Sequence, residues 1–147
     1  MAHYIKPGFA DRLAGAVVGR LARHGVSLAG AAELSVRGRV SGEWRQLPVN
    51  PLEFGGGHYL VSARGEGQWV RNMRAAGEGR LQVGSTVRRF TATELPDEEK
   101  PAVLRAYLER WGRQVGRFFD GVDARSGDAE LLRIASRHPV FRISDAA

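Results

Sequence analysis

The stretch LPVNPLEFGGGHYLVS (residues 47–62) decides the fold. Leu47 and Val49 alternate with their neighbours up to Asn50-Pro51, which marks a strand whose proline suits a sheet edge or a bulge. Gly55-Gly56-Gly57 is a hairpin signal, and Tyr59 to Ser62 resumes as a strand. Connections this short join antiparallel strands, because a parallel crossover needs a dozen residues or more.

Working outward, Leu34 and Val36 alternate with Ser35 and Arg37 in an earlier strand, and RGRVSG (37–42) turns the chain back. Downstream, Trp69, Asn72, Met73 and Ala76 recur at helical spacing, predicting a helix over 69–76. Leu81 and Val83 form a fourth strand. Gly84-Ser85 leads into a fifth, with Phe90, Ala92 and Glu94 on one face. Pro96-Asp97-Glu98-Glu99 puts acids in the first turn of a helix. Val103, Leu104, Tyr107, Leu108 and Trp111 give that helix a wide apolar stripe, which Val115, Phe118 and Phe119 continue past Gly112 and Gly116. A short helix over 128–136 precedes a last strand, PVFRI (139–143). At the other end, Leu13, Val17 and Leu21 are four apart within residues 9–24, an amphipathic helix. The expectation is one α+β, mainly β domain over 1–147: a small barrel of about six mostly antiparallel strands with helices packed outside, and residues 1–28 as a helical extension.

Composition narrows the functional classes. The 147 residues are 43% apolar and 26% charged, ordinary for a globular domain. There is no apolar run long enough to span a bilayer, and the N-terminus lacks an export layout. The absence of cysteine rules out disulfide and thiol chemistry and fits a cytoplasmic protein. Net charge is +6, and all but two of the 22 basic residues are arginines. They are spread along the chain, not gathered in a stripe with aromatics, which argues against nucleic acid as a partner. The four histidines have no metal-ligand spacing, so no metal site is expected. GRLQVGST (79–86) has the outline of a phosphate loop but lacks its lysine and spans strand, turn and strand. With no nucleophile elbow either, a cofactor is left to carry any chemistry.

Two turns suit an anion. In SARGEGQW (62–69), Arg64, Gly65 and Gly67 precede a helix whose first amides lack internal partners. As a plain turn, the same residues would leave Arg64 solvated. Asn72, on the apolar side of that helix, needs polar partners, either a neighbouring loop or a ligand. Arg71 and Arg74 read as solvent-facing. In GRVSG (38–42), an arginine and a hydroxyl close a strand end, with Arg45 close behind.

Taken together, GRVSG, PVNPLEF (48–54), YLVSARGEGQWVRNMRA (59–75), FTATELPDEEKPAVLRAY (90–107) and HPVFRI (138–143) resemble the deazaflavin-dependent nitroreductase/quinone reductase family. The resemblance runs over roughly residues 35–143 and leaves the N-terminal helix outside. It implies a split β-barrel that binds coenzyme F-420, an 8-hydroxy-5-deazaflavin with a phospholactyl-oligoglutamate tail. It also implies hydride transfer to a flat apolar acceptor such as a quinone, enone or nitroaromatic. By matching position, Arg39, Ser41 and Gly42 would take the anionic tail, with Val40 replacing a frequent second basic residue and Arg45 as a substitute. Asn50 and Pro51 would lie near the ring. Ala63, Arg64, Gly65, Trp69 and Asn72 would complete the cofactor site. Tyr107, Trp111, Val115 and Phe118 are candidates for the acceptor pocket, with core packing as the competing role; no catalytic proton donor stands out. Related barrels bind FMN, so FMN is the alternative cofactor, and a non-catalytic carrier is the alternative function. Homodimers are common among split barrels.

Overall fold

The computed structural model describes residues 32–146. The helix expected over 9–24 and the extension over 1–28 lie outside the described residues. Seven strands form one sheet: β1 (Ala32–Arg37), β2 (Trp44–Val49), β3 (Leu52–Phe54), β4 (Gly57–Val61), β5 (Glu78–Val83), β6 (Thr86–Glu94) and β7 (Val140–Asp145). Among the described residues three α-helices accompany them: α1 (Gln68–Ala76), α2 (Pro101–Val115) and α3 (Asp128–Ile134). All pairings are antiparallel, in the order β2-β1-β5-β6-β7-β4-β3. The strand beyond the expected six is β3. Its three residues are too short to show an alternating pattern, but they pair with β4 across a turn in which Gly55 and Gly56 both have positive φ. That is the left-handed geometry of a tight hairpin, which glycine adopts without strain.

The order of strands explains the barrel. β2 and β3 are consecutive in the chain yet sit at opposite edges of the sheet. Only Asn50 and Pro51 separate them, so Val49 and Leu52 lie within about 11 Å, the reach of three residues. A seven-stranded sheet can bring its edges that close only by curling. The result is a half-barrel whose open seam is spanned by Asn50-Pro51, which is why that dipeptide ends one edge strand and begins the other.

Inside the curl, Leu34, Val36, Leu60, Phe90, Phe141 and Ile143 pack with Val70 and Met73 of α1. Val70 joins the buried face beside the expected Asn72 and Met73, whereas Trp69 is half-buried. Gly79 faces Phe90 across the β5–β6 pair, and a Cβ there would come within 2.8 Å of both the Phe90 ring and the Ser35 carbonyl. The residue that resembled part of a phosphate loop is therefore small because the barrel interior leaves it no room. A second core lies under α2 and α3, where Leu104, Tyr107, Trp111, Phe119, Leu131 and Ile134 are buried.

The acids at 97–99 form a 3-10 turn, and α2 starts later, with Pro101 in its first turn. The proline is favoured there because it lacks an N–H that would go unpaired anyway. Lys100, buried between the two elements, donates to Asp97 Oδ1 at 2.8 Å and to the Ala135 carbonyl at 2.9 Å.

Candidate functional site

The β1–β2 hairpin and the start of α1 meet at one side chain. Asn72 is 5% exposed, and its Oδ1 accepts the Arg39 amide at 3.1 Å and Arg39 Nη1 at 2.8 Å. The same Nη1 donates to Gln68 Oε1 at 2.9 Å. Asn72 therefore ties helix to loop, the first of the two roles its inward position allowed. Gln68, one turn before Asn72, is a member of the site that the motif reading missed. Its i, i+4 spacing to Asn72 is the signal that points to it.

The loop carrying Arg39 is closed from within. Gly38 N–H donates to the Glu43 carbonyl at 2.7 Å, and Gly42 N–H to the Gly38 carbonyl at 2.9 Å. Ser41 Oγ accepts the Glu43 amide at 3.2 Å, and Arg37 Nη1 donates to the Gly42 carbonyl at 3.0 Å. Gly42 has φ 74°, the left-handed region. Arg45 stands exposed on β2, opposite Val36.

The other wall is the turn from β4 into α1. Ser62 Oγ and Gly67 N–H both donate to the Gly65 carbonyl, and Gly65 has φ 94°. His138, buried and stacked on Phe119 at 4.0 Å, places Nδ1 3.0 Å from the Ser62 carbonyl. Arg74 binds Glu94 and Glu66, the hydrogen bond to Glu94 chiefly holding its pKa above the ordinary arginine value. So Arg74 is engaged with two acids instead of facing solvent alone, and it pins the turn at Glu66. α1 itself follows the N-cap Gly67, with no side-chain cap and no acid in its first turn. The partial positive charge of its first amides thus meets no acid within the first turn, and the Arg39 guanidinium bonds to Gln68 at that turn.

The remaining candidates fall into two groups. Ala63 is half-buried against the α2 core, and Trp69 packs its ring 5.7 Å from that of Phe141. Arg64 lies over Phe118, 4.4 Å from the ring centroid, with Arg117 at 4.7 Å. Tyr107, Trp111 and Val115 are buried in the core, so the stripe on α2 packs. Two of its members also fasten the seam. Tyr107 is hydrogen-bonded to the Asn50 side chain, and Trp111 Nε1 donates to the Pro51 carbonyl at 3.0 Å. Burial pushes the Tyr107 phenol up to about 12, against a smaller downward pull from Asn50. Phe118 alone of the four remains half-buried.

Among the described residues no group of His, Cys, Asp and Glu could hold a metal ion, and no helix is long and apolar enough to cross a membrane.

A curled sheet of antiparallel strands, with an uncapped helix start and arginines around one turn, defines a split-barrel domain. Residues 9–117 match the family described as F420H(2)-dependent quinone reductase, and the chain belongs to that family. It is therefore a deazaflavin-dependent oxidoreductase, and the FMN alternative is left without support. The match begins at residue 9, so the family pattern includes the N-terminal segment that the motif resemblance left out. No curated protein matches the chain. Solved structures with the same fold include one described as an F420-H2 dependent reductase (FDR-A), 21% identical with TM-score 0.55, over 78% of this chain and 94% of that one. Another, described as a domain-swapped dimer, is 21% identical with TM-score 0.56, over 78% and 80%. A FAD-binding protein from Mesorhizobium loti is 20% identical with TM-score 0.50, over 80% and 81%.

Proposed function

We propose that the protein reduces a flat apolar acceptor, a quinone before an enone or nitroaromatic, with reduced coenzyme F-420 as the hydride source. The observation that carries this is the Arg39–Asn72–Gln68 contact beside the uncapped start of α1. Arg39 has five N–H donors in a planar fork, and Asn72 and Gln68 occupy only its Nη1. The donor set therefore fits a tail of phosphate and carboxylates, and nothing acidic in the first turn of α1 opposes it.

In this reading Arg39, Ser41, Gly42 and Arg45 hold the tail from the hairpin, and Arg64 and Gly65 hold it from the turn before α1. Asn50, Pro51 and Trp69 line the ring, with Ala63 filling the space beside them. Phe118 faces the acceptor, since it alone of the four aromatic-stripe candidates is not buried. The coenzyme, when bound, supplies the hydride. The chain supplies position and water exclusion, which account for much of the rate when no protein nucleophile is needed. A homodimer is part of the proposal, on the resemblance and the neighbour described as a domain-swapped dimer.

Fluorescence titration of the coenzyme tests the reading. Arg39→Ala is expected to weaken binding roughly 10- to 100-fold, the scale of one or two hydrogen bonds to a charged group. Arg133→Ala, whose charge Asp120 and Glu130 already match, leaves the affinity unchanged. No saturable binding to the wild-type protein would overturn the proposal. Binding without acceptor-dependent oxidation would instead make the protein a carrier.

A further inference from the structure

A second cluster of arginines lies on the outer face of the barrel, away from α1. Arg37 and Trp44 are cross-strand partners on β1 and β2, and Arg80 and Arg89 are partners on β5 and β6. Ser35 pairs with Arg80, which puts both pairs on the face opposite the buried Leu34 and Val36. The Arg37 and Arg80 guanidiniums lie 4.2 and 4.4 Å from the Trp44 ring centroid. Together with Arg89 and Glu78 they line a pocket of about 120 Å³, room for one small oxyanion group.

Among the described residues its charge is unbalanced. Like charges directly opposite across a sheet are destabilising, as Arg80 and Arg89 are here. Among the described residues Glu78 is the one carboxylate in the pocket wall, and none of the three arginines is bonded to a carboxylate. Five arginines elsewhere differ in this: Arg74, Arg88, Arg105, Arg133 and Arg137 each meet an acid. Stacking on Trp44 fixes two of the forks in place, and planar guanidinium forks match the oxygen spacing of phosphate and carboxylate.

We propose that this pocket binds a phosphate- or carboxylate-sized oxyanion, at a site separate from the turn before α1. Two sources share that chemistry: a free phosphate, or a carboxylate of the coenzyme's tail passing over the Gly38–Glu43 loop. The site itself does not depend on the coenzyme reading, because it is tested on the protein without coenzyme.

The experiment is a titration of inorganic phosphate followed by nitrogen–proton NMR. Saturable shifts are expected for the Trp44 indole N–H, assigned with Trp44→Phe, and for the Nε–H groups of Arg37, Arg80 and Arg89. The Arg80→Gln/Arg89→Gln double variant should bind phosphate at least tenfold more weakly, with the rest of its spectrum superposable on wild type. Repeating the titration with saturating long-tailed coenzyme separates the sources. Loss of the phosphate response identifies the tail as occupant, and its persistence identifies a free anion. Shifts that do not saturate, that spread equally over Arg133 and other exposed arginines, or that survive the double variant overturn the proposal.

Discussion

At the α2–α3 end, Arg105 pairs with Asp128, Arg133 with Asp120 and Glu130, and Arg137 with Asp120. Around the β1–β2 hairpin, Arg37 and Arg80 stack on Trp44, and Arg39 bonds to two neutral side-chain carbonyls. The residue type is the same in both regions, but these arginines meet acids in the first and an aromatic ring or neutral carbonyls in the second. The apolar residues divide the same way. The helical end buries a tryptophan, a tyrosine and a phenylalanine and uses the polar atoms of the first two to fasten the seam, whereas the hairpin end exposes the side chains of Arg37, Arg39 and Arg45. In the proposed reading one region serves stability and the other binding, and substitutions at three positions test that division.

The largest effect is expected at Trp111. Trp111→Ala should lower unfolding stability by about 3–5 kcal/mol, the usual range for an aromatic truncated in a core. Trp111→Phe keeps most of the volume but loses the bond to the Pro51 carbonyl, and should cost about 1 kcal/mol. Urea unfolding of both variants measures the difference. If the alanine variant were as stable as the phenylalanine one, the α2 stripe would not be core, and its role as an acceptor pocket would return.

Tyr107 gives a smaller, pH-dependent effect in the same region. Its folded-state value of about 12 is raised above the ordinary phenol value of 10. The stabilisation is therefore complete below pH 10 and is lost as pH rises through 12, because the unfolded chain releases its proton first. Over that window stability should fall by up to about 2–3 kcal/mol, at 1.36 kcal/mol per unit. Urea midpoints from pH 9 to 12 should show this decline in wild type and less of it in Tyr107→Phe. Equal slopes in the two proteins would mean that the phenol is not held in the core.

The hairpins and the stripe were legible in the sequence because each rests on local chemistry. Paired glycines make a left-handed turn whatever surrounds them, and a 3.6-residue period marks one face of a helix. The seam was not legible. That β2 and β3 occupy opposite edges follows from pairings between residues far apart in the chain, such as His58 with Ile143 and Phe90 with Asp145. Only with that order known do Asn50 and Pro51 become a seam fastened by Tyr107 and Trp111. Asn72 was legible as a polar residue needing partners, but not its partner: Arg39 is 33 positions away. The Arg37–Trp44–Arg80 stack was invisible for the same reason, since cross-strand register and not spacing brings those side chains together.

Asn72 is where holding the loop and binding the anion can be separated. Asn72→Leu keeps the size of the side chain but leaves the Arg39 amide without its acceptor. It should cost about 1–3 kcal/mol of stability, the penalty for an unsatisfied donor. Coenzyme affinity should fall too, because Arg39 loses its fixed direction. The two residues are in contact, so the Asn72→Leu/Arg39→Ala pair should lose less affinity than the singles added together. Asn72→Asp makes the sharper distinction. Its carboxylate can accept both Arg39 bonds, so stability should recover toward wild type. The added negative charge, however, neutralises Arg39 beside the start of α1 and should leave the affinity low. Thermal unfolding and coenzyme titration on the same samples read the two effects apart. An aspartate variant that binds as well as wild type would mean that Arg39 shapes the loop without lending its charge to the ligand.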